Sequence, residues 1–117
     1  MNELVKPNRL PYTRWIQITN RAVVPLEEVV LEIDTFGIGR IRRVEVGTIA
    51  PYTRTELSFL RRHEKVDGVR LKFRVGGGPA TETEWKRTQG LSYFRWICLY
   101  LTELGELSTS HRKQEVL

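Results

Sequence analysis

Residues 18–36 read ITNRAVVPLEEVVLEIDTF. A strand-like run ends in a polar break at Thr19-Asn20-Arg21, a short apolar run follows, and a proline precedes a longer alternating segment. From Leu26 onward, Val29, Leu31 and Ile33 fall on one side while Glu28, Glu32 and Asp34 fall mostly on the other, the period-two mark of a half-buried strand. Asparagine at the end of a strand closes a turn through its own side chain, so residues 21–25 are expected to cross from one sheet to another, with Leu26 re-entering the core.

The same alternation recurs outward from this stretch. Ile16 and Ile18 point inward before it. After it come Ile41, Val44 and Val46, whose spacing predicts a bulge at Arg42-Arg43. Thr55, Leu57 and Phe59 form a further inward set. In residues 69–75, Val69, Leu71, Phe73 and Val75 oppose Arg70, Lys72 and Arg74. Breakers separate the runs at Asn20-Arg21, Gly37, Gly39, Pro51, Asp67-Gly68, Gly76 to Pro79 and Gly90. Short strands with regular turn signals predict an all-β fold, an antiparallel sandwich of about seven to eight strands. Pro-Tyr-Thr-Arg occurs at 11–14 and again at 51–54, each time ahead of a strand, where proline's missing N–H costs no ladder bond.

The order of these elements is similar to that of the immunoglobulin-like FxLYD and CARDB families of β-sandwich domains. The matching positions are Asn20, Leu26, Val29, Leu31, Ile33, Gly39, Val46, Gly47, Ile49, Pro51 and Phe59, within about residues 15–60. The resemblance implies an immunoglobulin-like sandwich serving adhesion or docking, with no active site. Two departures stand out: Tyr52 follows the proline where the family usually has glycine, and members are mostly exported whereas the first twenty residues here hold no apolar core of signal-peptide length.

At 117 residues the chain fits a single sandwich domain, residues 1–117, able to bury about 65% of its unfolded surface. Residues 1–10 and 111–117 are expected to be mobile termini, unless residues 107–117 return as a hairpin. No stretch approaches the about 20 apolar residues of a membrane span, so a cytoplasmic protein without a membrane span is expected. The single cysteine, Cys98, excludes an intrachain disulfide and a cysteine-based zinc site. Its apolar surroundings make it an inert small hydrophobe.

Chemistry is sparse. The only imidazoles that could serve a nucleophile as base are His63 in LRRHEK and His111 in STSHRK. His63 reads as a solvated loop residue, and two histidines without a third soft ligand do not predict a metal site. Glu27, Glu28, Glu32 and Asp34 read as a solvated stripe, and VGGGPATE lacks the Gly-Lys-Ser/Thr ending of a phosphate loop, so it reads as a flexible hairpin loop. No catalytic residue, metal or cofactor is expected, and the chain reads as a non-enzyme.

Two signals remain. The net charge is +5, and residues 37–75 carry ten basic against four acidic residues, a local +6. Arg40, Arg42, Arg70, Lys72 and Arg74 would form a cationic patch if they share a face, giving a nucleic-acid-binding alternative with salt-sensitive affinity. Solvation of an outer face, and an arginine content raised by codon usage, explain the same residues without a ligand. The second signal is aromatic. Residues 91–102, LSYFRWICLYLT, are apolar on both faces and fit a central strand, a buried helix or a partner-binding strand; the Tyr, Phe, Trp and Ile content favours a strand, with Tyr93, Ile97, Leu99 and Leu101 opposite Phe94, Trp96, Cys98 and Tyr100. A strand at a sheet edge buries only one face, so the other is expected to meet the tail, another protein or a second copy of this chain. Tyr93, Arg95, Trp96 and Tyr100 are the candidate protein-binding anchors, since Trp, Tyr and Arg dominate interface energetics. A protein-interaction module is therefore the leading expectation, nucleic-acid binding the alternative. Carbohydrate binding has only the number of rings in its favour.

Overall fold

The computed structural model describes residues 14–35, 40–60, 66–88 and 96–112; at Arg14, Arg40, Ser58, Phe59, Leu60, Trp96, His111 and Arg112 only the backbone is described. Nine strands lie in these residues: β1 (Arg14–Asn20), β2 (Leu26–Thr35), β3 (Arg40–Ile49), β4 (Arg54–Leu60), β5 (Val66–Arg74), β6 (Thr81–Glu82), β7 (Lys86–Arg87), β8 (Trp96–Leu101) and β9 (Leu107–Arg112). They form two sheets, one ordered β4-β1-β8-β9 and the other β3-β2-β5-β6, with β7 also paired to β5. The fold is an all-β sandwich. It exceeds the expected strand number through β6 and β7, which have two residues each.

The alternating residues build the core between the sheets. Ile16 and Ile18 of β1, Val29, Leu31 and Ile33 of β2, Val69, Leu71 and Phe73 of β5, and Ile97, Leu99 and Leu101 of β8 are all buried, and Val44, Val46, Leu57 and Val75 pack partly buried against them. Burying each such side chain contributes roughly 1.5–3 kcal/mol.

Residues 21–25 cross between the sheets as the opening stretch predicts, and Asn20 at their start is wholly buried. Its Oδ1 accepts the Ala22 N–H at 2.7 Å. Its Nδ2 faces the carbonyls of Val24 at 2.9 Å, Ile49 at 2.9 Å and Ala50 at 3.2 Å. One amide thus ties the β1–β2 crossover to the β3–β4 turn, and gives partners to the Ile49 carbonyl and the Ala22 N–H where they are buried.

Three expectations change. The bulge does not fall at Arg42-Arg43, because β2 and β3 pair without interruption from Val30 opposite Glu45 to Thr35 opposite Arg40. Ile41 therefore points outward, 46% exposed. The irregularities fall instead between Leu26 and Val30, at Glu28 with φ +52° and opposite Gly47 with φ +90°, a backbone state glycine adopts without steric cost. Secondly, the sandwich is not wholly antiparallel: β1 and β8 pair in parallel, a geometry that needs a long connection, supplied here by the chain that builds the other sheet. Thirdly, β8 is an interior strand. The tail returns as a hairpin, β9 pairs with β8 from Leu107 to Arg112, and so His111 and Arg112 belong to a strand.

The turn at residues 50–53 explains the departure at Tyr52. Thr53 N–H donates to Ala50 O at 3.2 Å, with Pro51 second in the turn and Tyr52, at φ +57°, third. This is a type II turn, whose third position favours glycine. Residues 75–80 make the hairpin loop between β5 and β6, with Gly76 and Gly77 at positive φ. Among the described residues, no helix is long and apolar enough to cross a membrane.

Candidate protein-binding face

Each sheet turns one face to the core and one outward, and the two outward faces differ in chemistry. On β2, the residues alternating with Leu31 and Ile33 place Glu32 at the centre of the five-stranded sheet's outer face, between Arg43 of β3 and Arg70 of β5. Glu32 is 3% exposed, which corrects its reading as part of a solvated stripe. Its carboxylate accepts Arg70 Nε–H at 2.7 Å and meets Arg43 Nη1 at 3.3 Å. Glu82 of β6 continues the chain of charge, 3.5 Å from both Arg70 and Lys72. Arg74 pairs with Glu28 at 3.1 Å and donates to Gly78 O at 2.8 Å. Arg87 lies 3.2 Å from both Asp34 and Asp67. Five cations meet five carboxylates in this network.

Part of the local +6 is thereby answered from outside its sequence window, since Glu28 and Glu32 come from β2 and Glu82 from β6. Arg70, Lys72 and Arg74 do share this face. Arg42 does not: paired with Ile33 in register, it lies on the core side, in one row with Val44 and Val46. Arg40 stands opposite Thr35 at the start of β3.

The outer face of the four-stranded sheet is built from the residues that alternate with Ile16, Ile18, Ile97, Leu99 and Leu101. The registers place Trp15, Gln17 and Thr19 of β1 beside Trp96, Cys98 and Tyr100 of β8, with Ser110 and Ser108 of β9 next in line. Apart from Arg54 and Glu56 on β4 and Arg112 at the end of β9, these positions are uncharged. Gln17 and Cys98 are buried, at 4% and 2% exposure, so both faces of β8 are closed over residues 97–99. Of the covers expected for the second face, the tail, another protein or a second copy, none from outside the chain is needed at residues 97–99, and the tail returns as β9 beside β8. Gln17 Nε2–H donates to Glu56 Oε2 at 3.1 Å.

Tyr100 is held from two sides. Its hydroxyl lies 3.3 Å from Ser110 Oγ, and the Arg21 guanidinium stacks 4.1 Å from its ring centroid. Such stacking contributes about 0.5–1 kcal/mol at an exposed site. Of the anchors expected from sequence, Tyr100 is on this face and half-buried, and Trp96 occupies the position opposite Trp15. Tyr93 and Arg95 lie outside the described residues, as does His63. Sequence reading missed Trp15, Gln17, Thr19, Ser108 and Ser110 as members of the same face. For β1 the signal was present, because parity with Ile16 and Ile18 fixes their side; for β9 it required the hairpin register.

No protein-family model matches the chain, and no curated protein matches it. Among solved structures, the chain is similar to a protein from Eubacterium rectale determined by NMR, with a TM-score of 0.59 and 12% identity over 91% of this chain and 94% of that one. It also aligns with the human-specific toxin intermedilysin, at 15% identity and a TM-score of 0.47, and with pneumolysin, at 9% identity and a TM-score of 0.45. In both cases it spans 24% of the toxin's length. The first of these likenesses concerns the fold alone.

Proposed function

We propose that this chain is a non-catalytic protein-binding module that docks through the outer face of the β4-β1-β8-β9 sheet. The observation that carries the reading is the contrast between the outer faces: this one presents uncharged and aromatic residues, whereas the other is closed into its own ion pairs. Interface cores are depleted of charge and enriched in Tyr, Trp and Arg. Tyr100, braced by Arg21 and Ser110, is an anchor whose side-chain entropy is already reduced before binding. Trp15 and Trp96 extend the aromatic row along β1 and β8, and Tyr93 and Arg95 precede it in the chain. The resemblance of residues 15–60 to docking domains supports the same reading. The partner is another protein or a second copy of this chain, and no cofactor is required.

Nucleic-acid binding is the less favoured reading. Affinity for a phosphate backbone comes from cations that release counterions. Arg70, Lys72 and Arg74 instead neutralise Glu32, Glu82 and Glu28, so engaging phosphate would first break those pairs.

The test is affinity purification from the native cells with the parent chain, Tyr100→Ala and Lys72→Gln, alongside light scattering of each purified protein. A partner, or a dimeric mass, retained by Lys72→Gln and lost from Tyr100→Ala is the expected result. Loss with Lys72→Gln alone contradicts the proposal.

A further inference from the structure

A cavity of about 430 Å³ opens where the β6–β7 connection faces the β8–β9 hairpin, and none of Trp15, Tyr100 or Ser110 takes part in it. Both walls are pinned to backbone. On one side, Thr83 N–H donates to Leu71 O at 2.9 Å, while its hydroxyl accepts Leu71 N–H at 3.0 Å and donates to Glu84 O at 3.0 Å. One threonine thus replaces the ladder between β6 and β7 and fixes Trp85 beyond it. On the other side, Thr102 N–H donates to Glu106 O at 3.1 Å, and Thr102 Oγ1 accepts Glu106 N–H at 3.2 Å. Gly105, at φ +84°, closes the hairpin so near β6 that a Cβ there would stand 3.0 Å from Thr81 Cγ2. The cavity is therefore preformed.

Its lining combines an aromatic wall, Trp85, and the aliphatic Leu104 and Leu107 with three carboxylates, Glu82, Glu84 and Glu106, against a single ammonium, Lys86. In a chain of net charge +5 this is a local reversal of sign. Glu82 is engaged by Arg70 and Lys72. Glu84 and Glu106 form no ion pair among the described residues, and both are exposed. The Trp85 ring already receives one cation: the Arg70 guanidinium stacks 4.5 Å from its centroid. Arg70 itself does not line the cavity, whereas Trp85 does.

The geometry points to a binding site for a cationic group on an apolar stem, an alkylammonium or guanidinium, with its charge between Glu84 and Glu106 and its stem against Trp85, Leu104 and Leu107. The indole and the flanking carboxylates favour the cation together, and the leucines take the methylenes. Such a group comes either from a Lys or Arg side chain of a peptide or from a free amine. The site goes beyond the docking face and does not depend on it.

The test is an NMR titration of the whole chain, following the Trp85 indole N–H and the backbone amides of residues 104–107. The probes are Nα-acetyl-lysine methylamide, Nα-acetyl-arginine methylamide, 1,5-diaminopentane and the neutral Nα-acetyl-norleucine methylamide. Saturable shifts with the cationic probes and Kd on the order of 1 mM are expected, with no saturation by the norleucine compound at about 50 mM. The double variant Glu84→Gln/Glu106→Gln, at exposed positions that leave the fold intact, should weaken binding by about fivefold or more. Tighter binding of the capped amino acids than of the diamine assigns the site to a peptide side chain, and the reverse order assigns it to a free amine. Absence of saturable shifts from every cationic probe, equal binding of the norleucine compound, or an unchanged Kd in the double variant overturns the proposal.

Discussion

The outer face of the five-stranded sheet and that of the four-stranded sheet are built by the same alternation, yet they solve the problem of exposure in opposite ways. The first sets acid against base across three strands, so that Glu32 is buried between Arg43 and Arg70. The second buries a glutamine and a cysteine among hydroxyls and rings. What the difference teaches is that high charge in a sequence need not create a charged site. A strand rich in arginine becomes largely ion-paired when its register neighbours are carboxylates, and under the proposed function a partner meets the face with fewer charges.

Four substitutions break or sharpen this contrast. The largest effect is expected at the seam both sheets share. Asn20→Ala removes the side-chain partner of the Val24 and Ile49 carbonyls and of the Ala22 N–H, and should lower the unfolding free energy by about 3–5 kcal/mol in urea titration. Next comes Glu32→Ala, which leaves Arg70 and Arg43 without their shared carboxylate and should cost about 2–3 kcal/mol; the pair is only partly buried, so the loss stays below that of a fully enclosed one. A loss under about 0.5 kcal/mol would show that the ladder is ornamental to stability. Tyr52→Gly works in the other direction. Relief of the left-handed tyrosine should exceed the entropy cost of glycine and raise stability by about 0.5–1 kcal/mol, read as a higher urea midpoint, with both outer faces untouched. The smallest effect is expected from Arg87→Gln, whose pairs with Asp34 and Asp67 are largely exposed: under about 1 kcal/mol, and less in high salt.

Much of the sandwich was legible because burial enforces period two. Ile16, Ile18, Leu31, Ile33, Leu71 and Phe73 each sit where alternation put them. Asn20 was legible as a turn former, though its reach to Ile49 and Ala50 depends on a contact between distant strands. The bulge was misplaced because Ile41 was assumed to need burial, whereas the chain tolerates one exposed isoleucine and puts its irregularity at Glu28 and Gly47. The parallel β1–β8 pair carries no local signal, and without it residues 91–102 fitted a central strand, a buried helix or a partner-binding strand alike. The candidate site was half legible. Tyr100 and Trp96 stood out by residue type, but the serines opposite them and the neutrality of the basic strand both depend on cross-strand register, which a window along the chain does not contain.

The central claim is that the less charged outer face, that of the four-stranded sheet, contacts a partner and the ion-paired face does not. Placing the photocrosslinking residue p-benzoylphenylalanine singly at Thr19, Ser108, Arg43 or Lys72, and irradiating the cells that natively hold this protein, tests it most directly. Discrete adducts from Thr19 and Ser108, with none from Arg43 or Lys72, are predicted. Adducts arising from Arg43 and Lys72 while Thr19 and Ser108 give none would contradict the account.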